Sequence, residues 1–188
     1  MLRSCFPASI TLVCLALGAC SAGGGDQPGA AESSTADRTT VLAEQARVGR
    51  LADDLAGLYA GDHPDRQDVA DGSCFANTLL ESLDSDDLRT AGLIGADGRV
   101  AERLPVFDQG LAVTWVDAQL ACVDYVDASA RAFVAQSKGA LDVGAFTSCL
   151  RSALSDDEIR SALVQTLTGG FSSPEVRLLS TTQADCAD

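Results

Sequence analysis

Two stretches of this chain concentrate oxygen-bearing side chains in a way that could do chemistry. One runs from Leu83 to Ala91 (LDSDDLRTA), the other, 71 residues later, from Leu154 to Ala162 (LSDDEIRSA). Three acids on neighbouring positions could supply ligands to calcium. An EF-hand loop, however, alternates its ligands and needs a glycine at its sixth position and a glutamate at its twelfth, and neither stretch complies. A different mechanism accounts for every position. Ser155 with Glu158 three residues on is a capping box, and Asp84 with Asp87 is a weaker form of it. The acids between them fall in a first helical turn, where the helix dipole favours negative charge. The stretches therefore predict two helix starts and no metal site.

The remaining candidates for chemistry are few. His63 is the only histidine and precedes Pro64 in a polar loop. A Ser-His-Asp site would have to be built on it, yet no nucleophile-elbow glycine pattern surrounds any serine, so an exposed loop histidine is expected. Asp124 and Asp127, beside Cys122 and Tyr125, are expected to cap a helix. Trp115 lies on an apolar stripe, which favours a core position over a ligand-stacking one. The glycines Gly23, Gly24 and Gly25 do not sit at a strand-to-helix turn and make no phosphate loop. Catalytic, cofactor-binding and metal-binding residues are accordingly assigned to none, and no cofactor is expected.

The seven cysteines divide by position. Cys5 and Cys14 lie in an N-terminal stretch with one basic residue, Arg3, followed by thirteen uncharged residues from Cys5 to Leu17. A basic start, a short apolar run and small residues describe an export signal, and the run is too short to span a bilayer. Its end, Leu17-Gly18-Ala19-Cys20, resembles the lipobox of bacterial lipoproteins. That resemblance implies cleavage after Ala19 and a diacylglycerol thioether on Cys20. Two acyl chains hold a protein firmly at a membrane where one is marginal. No later stretch reaches the ~18 consecutive apolar residues of a spanning helix. The expected organisation is a signal peptide over residues 1–19, a flexible Gly- and Ser-rich tether over 20–40, and a folded domain over 41–188.

Charge excludes one class of partner. The chain carries 13 basic and 27 acidic residues, a net charge of −14, and losing Arg3 with the signal makes it more negative still. Nucleic acid needs a basic face, and anionic lipid attracts one, so neither is expected to be bound electrostatically. The expected partners are the membrane, through the lipid on Cys20, and an envelope protein.

The domain reads as all-α, a bundle of two related helix-join-helix units. Apolar residues at helical spacing run through Val48, Leu51, Ala52, Leu55, Leu58 and Tyr59. Gly61, Pro64 and Gly72 mark a break. Phe75, Leu79 and Leu83 form a second helical face, and Leu88 and Ala91 a third that ends near Gly92. Gly95 to Gly98 is a turn. Pro105 sits as a first helical residue, ahead of a stripe of Phe107, Leu111, Thr114, Trp115, Ala118 and Cys122. Further helices carry Val126, Ala130, Phe133 and Val134, then Val143, Phe146, Leu150 and Leu154, then Ile159, Leu163, Thr166 and Leu167, stopped by Gly169-Gly170. A short helix over SSPEVRLL precedes a tail with Cys186. Strands are not expected.

A shift of 71 residues superposes Phe75 on Phe146, Leu79 on Leu150, Leu83 on Leu154, Asp84 on Ser155, Asp87 on Glu158 and Arg89 on Arg160. Each unit begins near a cysteine, Cys74 or Cys149. Over about Gly72 to Leu167 the pattern resembles small helical secreted proteins and lipoproteins of high-GC Gram-positive bacteria, a resemblance that implies no particular activity. An even set of four cysteines in an exported domain implies two disulfides. Four cysteines allow three connectivities, and the repeat favours Cys74–Cys122 and Cys149–Cys186. Loops of this length contribute roughly 3–4 kcal/mol each on the chain-entropy view. The functional expectation is a lipid-anchored, non-enzymatic binding module of the cell envelope. The alternative is a carrier of a small molecule or lipid, with an interhelical pocket near Trp115. A hydrolase built on convergent carboxylates is third.

Overall fold

Capping chemistry sets out the helices. In the computed structural model the backbone is described for residues 33–187 and the side chains for residues 40–187. Among these, the chain forms α1 (Ser33–Ala60), α2 (Arg66–Ser82), α3 (Ser85–Thr90), α4 (Gln109–Cys122), α5 (Tyr125–Gln136), α6 (Val143–Ala153), α7 (Asp156–Leu167) and α8 (Pro174–Ala187). The fold class is all-α. The sole β feature among the described residues is an isolated antiparallel bridge between Ile94 and Val100, which closes the turn at Gly95 to Gly98. Residues 1–19, read as a signal peptide, and Cys20 lie outside the described residues.

Seven helices start on a side-chain cap: Asp65, Asp84, Asp108, Asp124, Asp142, Ser155 and Ser173. Three of these are full capping boxes, Asp65 with Asp68, Asp84 with Asp87, and Ser155 with Glu158. Much of the chain's acidity is thus spent on satisfying helix N-termini.

The 71-residue repeat is a repeat of backbone. α2 passes to α3 through Leu83-Asp84, and α6 to α7 through Leu154-Ser155. Leu83 has φ −130° and ψ 136°, Leu154 φ −129° and ψ 136°. Each extended residue ends one helix and turns its apolar side chain inward, and the next residue caps the following helix. The join Val123-Asp124 between α4 and α5 has the same form, with Val123 at φ −132° and ψ 124°. It is a third copy that the repeat pattern does not include.

Two apolar clusters result. The first collects Leu55, Phe75, Leu79, Leu88, Leu93, Phe107, Trp115 and Val116 from α1 to α4. The second collects Val126, Ala130, Phe146, Leu150, Ile159 and Leu179 from α5 to α8. Leu163 of α7 packs against both. The matched pairs Phe75 and Phe146, and Leu79 and Leu150, are all fully buried, each side chain contributing about 1.5–3 kcal/mol. Disulfide Cys74–Cys122 ties α2 to α4, with Cα atoms 5.7 Å apart, and Cys149–Cys186 ties α6 to α8 at 5.6 Å. Both are the within-unit pairs that the repeat favours.

Several local expectations are corrected. α1 is assigned from Ser33 to Ala60. Val48 is 47% exposed: it has the right spacing, but the first half-buried apolar residue of α1 among the described residues is Leu51. Gly72 does not break the chain. It lies buried inside α2, where a Cβ would stand 2.7 Å from the Ala56 carbonyl oxygen of α1, so its bare backbone is what lets the two helices touch. Pro105 precedes α4 without starting it, since Asp108 supplies the cap by accepting the Leu111 N–H at 2.9 Å. Val143 is exposed. The tail carrying Cys186 is the end of α8, begun by Pro174 behind Ser173, whose hydroxyl accepts the Val176 N–H.

Candidate functional site

The acidic joins behave as caps. Asp84 accepts the N–H groups of Asp86 and Asp87, at 2.8 and 2.9 Å, and the Asp87 bond foremost holds its carboxyl below the usual range. Glu158 accepts the Ser155 N–H at 2.8 Å, which lowers it likewise. Burial works against ionisation of Asp124, but the Asp127 N–H and the Arg151 guanidinium outweigh it and lower its carboxyl too. Asp124 caps α5, while Arg151 of α6 reaches both Asp124 and Asp127, at 3.0 and 2.9 Å. No group of three His, Cys, Asp or Glu side chains among the described residues could hold a metal ion. Trp115 is core, its ring 4.6 Å from Phe75 and 5.2 Å from Phe107.

The residues able to do chemistry gather elsewhere, around a cavity of about 530 Å³ bounded by the end of α1, the start of α2, and α4 and α5. α1 supplies Tyr59, whose ring stacks on Phe75 at 4.5 Å. The loop after it supplies His63, exposed as expected. Asp65, the cap of α2, and Asp68 and Asp71 within α2 follow at three-residue steps, and all three line the cavity. α4 supplies Gln119, and α5 supplies Arg131 with a wall of Ala128, Ala132 and Ala135.

Asp71 anchors this arrangement. Its side chain is 9% exposed, and among the described residues it is the one buried charged group. Arg131 Nη2 donates to Asp71 Oδ2 at 2.7 Å across 60 residues of sequence, and Gln67 Nε2 donates to Asp71 Oδ1 at 2.7 Å. The same guanidinium stands 3.8 Å from Asp68. Arg131 Nε is sealed from solvent without a hydrogen-bond partner, a cost of about 1–3 kcal/mol for an unmet donor. Burial, and then the charge of Asp71, push the Tyr59 hydroxyl up to about 12, against a hydrogen bond with Gln119. The disulfide fixes this geometry: Asp71 and Gln119 each lie three residues before a bonded cysteine, Cys74 and Cys122.

The sequence reading expected His63 as an exposed loop residue and assigned it and the others to no site. Asp71, Tyr59, Gln119 and Arg131 are each ordinary in their local context, and only Gly72 in a helical register hinted at a close approach. A second crevice, of about 370 Å³, lies where the joins Val123-Asp124 and Leu154-Ser155 meet, walled by Leu120, Val126 and Ile159 with Arg151 at its rim. Trp115 borders neither cavity.

Fold and site together define an all-helical, disulfide-stapled domain with a polar cavity beside one staple. Comparison with protein-family models, with curated proteins and with solved structures gave no match. No helix among the described residues is long and apolar enough to cross a membrane.

Proposed function

We propose that this chain is a lipid-anchored protein of the bacterial cell envelope whose domain is a binding module, with the cavity around Asp71 and Arg131 as its binding site. The observation that carries the proposal is the cavity's construction. Its walls come from four helices, two of them cross-linked beside it, and a buried ion pair is kept at its edge although such pairs add little stability. Sites of roughly 300–1,000 Å³ with a few convergent polar groups are the usual form of a ligand pocket. Binding is favoured over acid–base catalysis because Arg131 is bonded to Asp71 and stands near Asp68, which makes an ion-paired wall and not a free pair of carboxyl groups. The anchor rests on Leu17-Gly18-Ala19-Cys20 and suits an oxidising compartment, where two disulfides persist.

The carrier reading keeps one point in its favour, the crevice between the joins with its leucine, valine and isoleucine walls. The tight packing of Trp115 between Phe75 and Phe107 counts against a pocket there. The anchor is tested by changing Cys20 to Ala and measuring partition between membrane and medium in a bacterial host that processes lipoproteins. Loss of the membrane fraction is the expected result, and unchanged membrane association would refute the anchor.

A further inference from the structure

We infer that the cavity beside Asp71 takes a small organic cation, an aliphatic ammonium group carried on a short apolar body. The inference rests on the binding-site reading above and adds the ligand's chemistry to it.

Charge comes first. The cavity is lined by three carboxylates and one guanidinium, and the guanidinium is already engaged by Asp71 and close to Asp68. A bound cation would restore the balance, whereas an anion would add to an excess of negative charge.

Unused acceptors come second. Asp71 has both oxygens occupied, by Gln67 and Arg131. Asp65 uses Oδ1 to cap α2, accepting from Gln67 N and Asp68 N, and Asp68 uses Oδ2 to accept the Asp65 N–H. Asp65 Oδ2 and Asp68 Oδ1 accept no hydrogen bond from the described residues. Asp68 Oδ1 has only the Arg131 guanidinium near it, at 3.8 Å, and Asp65 Oδ2 has no partner among the described residues; the α2 cap Asp65 and Asp68 of its first turn both line the cavity. An ammonium group carries three donors and no acceptor, which fits such a pair. The Tyr59 hydroxyl, held neutral, offers a further oxygen.

The shape of the opposite wall is third. α5 turns Ala128, Ala132 and Ala135 toward the space. Methyl groups there leave room for a ligand body and give it apolar contact. A bare metal dication would find no use for that wall, and would sit beside the Arg131 charge without a third free carboxylate. The buried end of the site is rigid, with Asp71 and Arg131 locked to each other, so a ligand can settle at the mouth without reorganising it.

The test uses three probes of one size and different charge: n-butylammonium, γ-aminobutyrate and butyrate, titrated into the full-length, disulfide-intact chain and followed by the NMR shifts of Tyr59 and of the Ala128, Ala132 and Ala135 methyl groups. The expected result is saturable binding of n-butylammonium, tighter than that of γ-aminobutyrate, with no response to butyrate. Asp68→Asn keeps a side-chain oxygen for the capping box and should weaken n-butylammonium about tenfold, as loss of a paired charge does. Asp156→Asn, an acid outside the cavity, should leave the affinity unchanged. Ala132→Leu, at an exposed position of α5, should block the ligand body while the far-ultraviolet spectrum stays helical. If γ-aminobutyrate or butyrate binds more tightly, the ligand class is wrong and the binding site stands. If no probe saturates the cavity, both readings fall. Equal weakening by Asp68→Asn and Asp156→Asn would reduce the effect to the chain's overall charge and overturn the inference.

Discussion

Both tyrosines of the chain are held in the neutral form. Burial foremost raises the hydroxyl of Tyr125, even though Ser129 and Gln183 hydrogen-bond to it, and burial with the Asp71 charge takes Tyr59 to about 12. Their contribution to stability is fully present below the unfolded-state value near 10 and is lost as pH rises through the folded-state values. The prediction is direct, because the chain has only these two phenols. Phenolate absorbance should stay flat through pH 10 while the protein remains folded, and a Tyr125→Phe variant should leave one transition near 12. In that variant, a phenol ionising at 10 in folded protein would mean that Tyr59 faces water. At this scale the sequence was half legible. Tyr59 lies on a helical stripe with Leu55, which places its ring inward. The environment of its hydroxyl is made by Asp71, Gln119 and Arg131, which no local pattern joins.

At the scale of the element, what periodicity sees depends on what the helix meets. The joins were legible because their information is local. An apolar residue, then a side-chain oxygen, then an acid at the third helical position is enough to set a cap, and Leu83-Asp84 and Leu154-Ser155 both fold that way. Val123-Asp124 takes the same backbone and carries the same spacing in Asp124 and Asp127, but only the Asp124 cap on the Asp127 N–H forms, and the Asp127 carboxylate is taken by Arg151. Gly72 misled for the opposite reason. A glycine is a common breaker, but here its role depends on the carbonyl of Ala56 on another helix. Gly→Ala inside a helix ordinarily gains about 1 kcal/mol. At Gly72 the added methyl meets backbone that cannot rotate away, and a net loss of about 1–3 kcal/mol is expected from overpacking. Urea unfolding of Gly72→Ala gives the sign, and a gain in stability would mean that α1 yields freely to α2.

For the molecule as a whole, the two disulfides tie different helix pairs, α2 to α4 and α6 to α8, and their removal should be felt separately. Replacing Cys74 and Cys122 together by Ala should cost about 3–4 kcal/mol and loosen the wall that holds Asp71 and Gln119. Replacing Cys149 and Cys186 should cost a similar amount and free α8, while ligand binding at the cavity persists. Unfolding curves of the two double variants, with non-reducing peptide mapping of the parent chain, check both statements, and a Cys122–Cys149 peptide would contradict the pairing. The exposed first half of α1 has a mechanical consequence. Residues 41–46 are exposed along continuous helix, a rod of about 9 Å at 1.5 Å per residue. A rod transmits torque where a coil would absorb it. A pull on α1 would therefore reach the bundle where α1 meets α2, at the contact of Ala56 with Gly72.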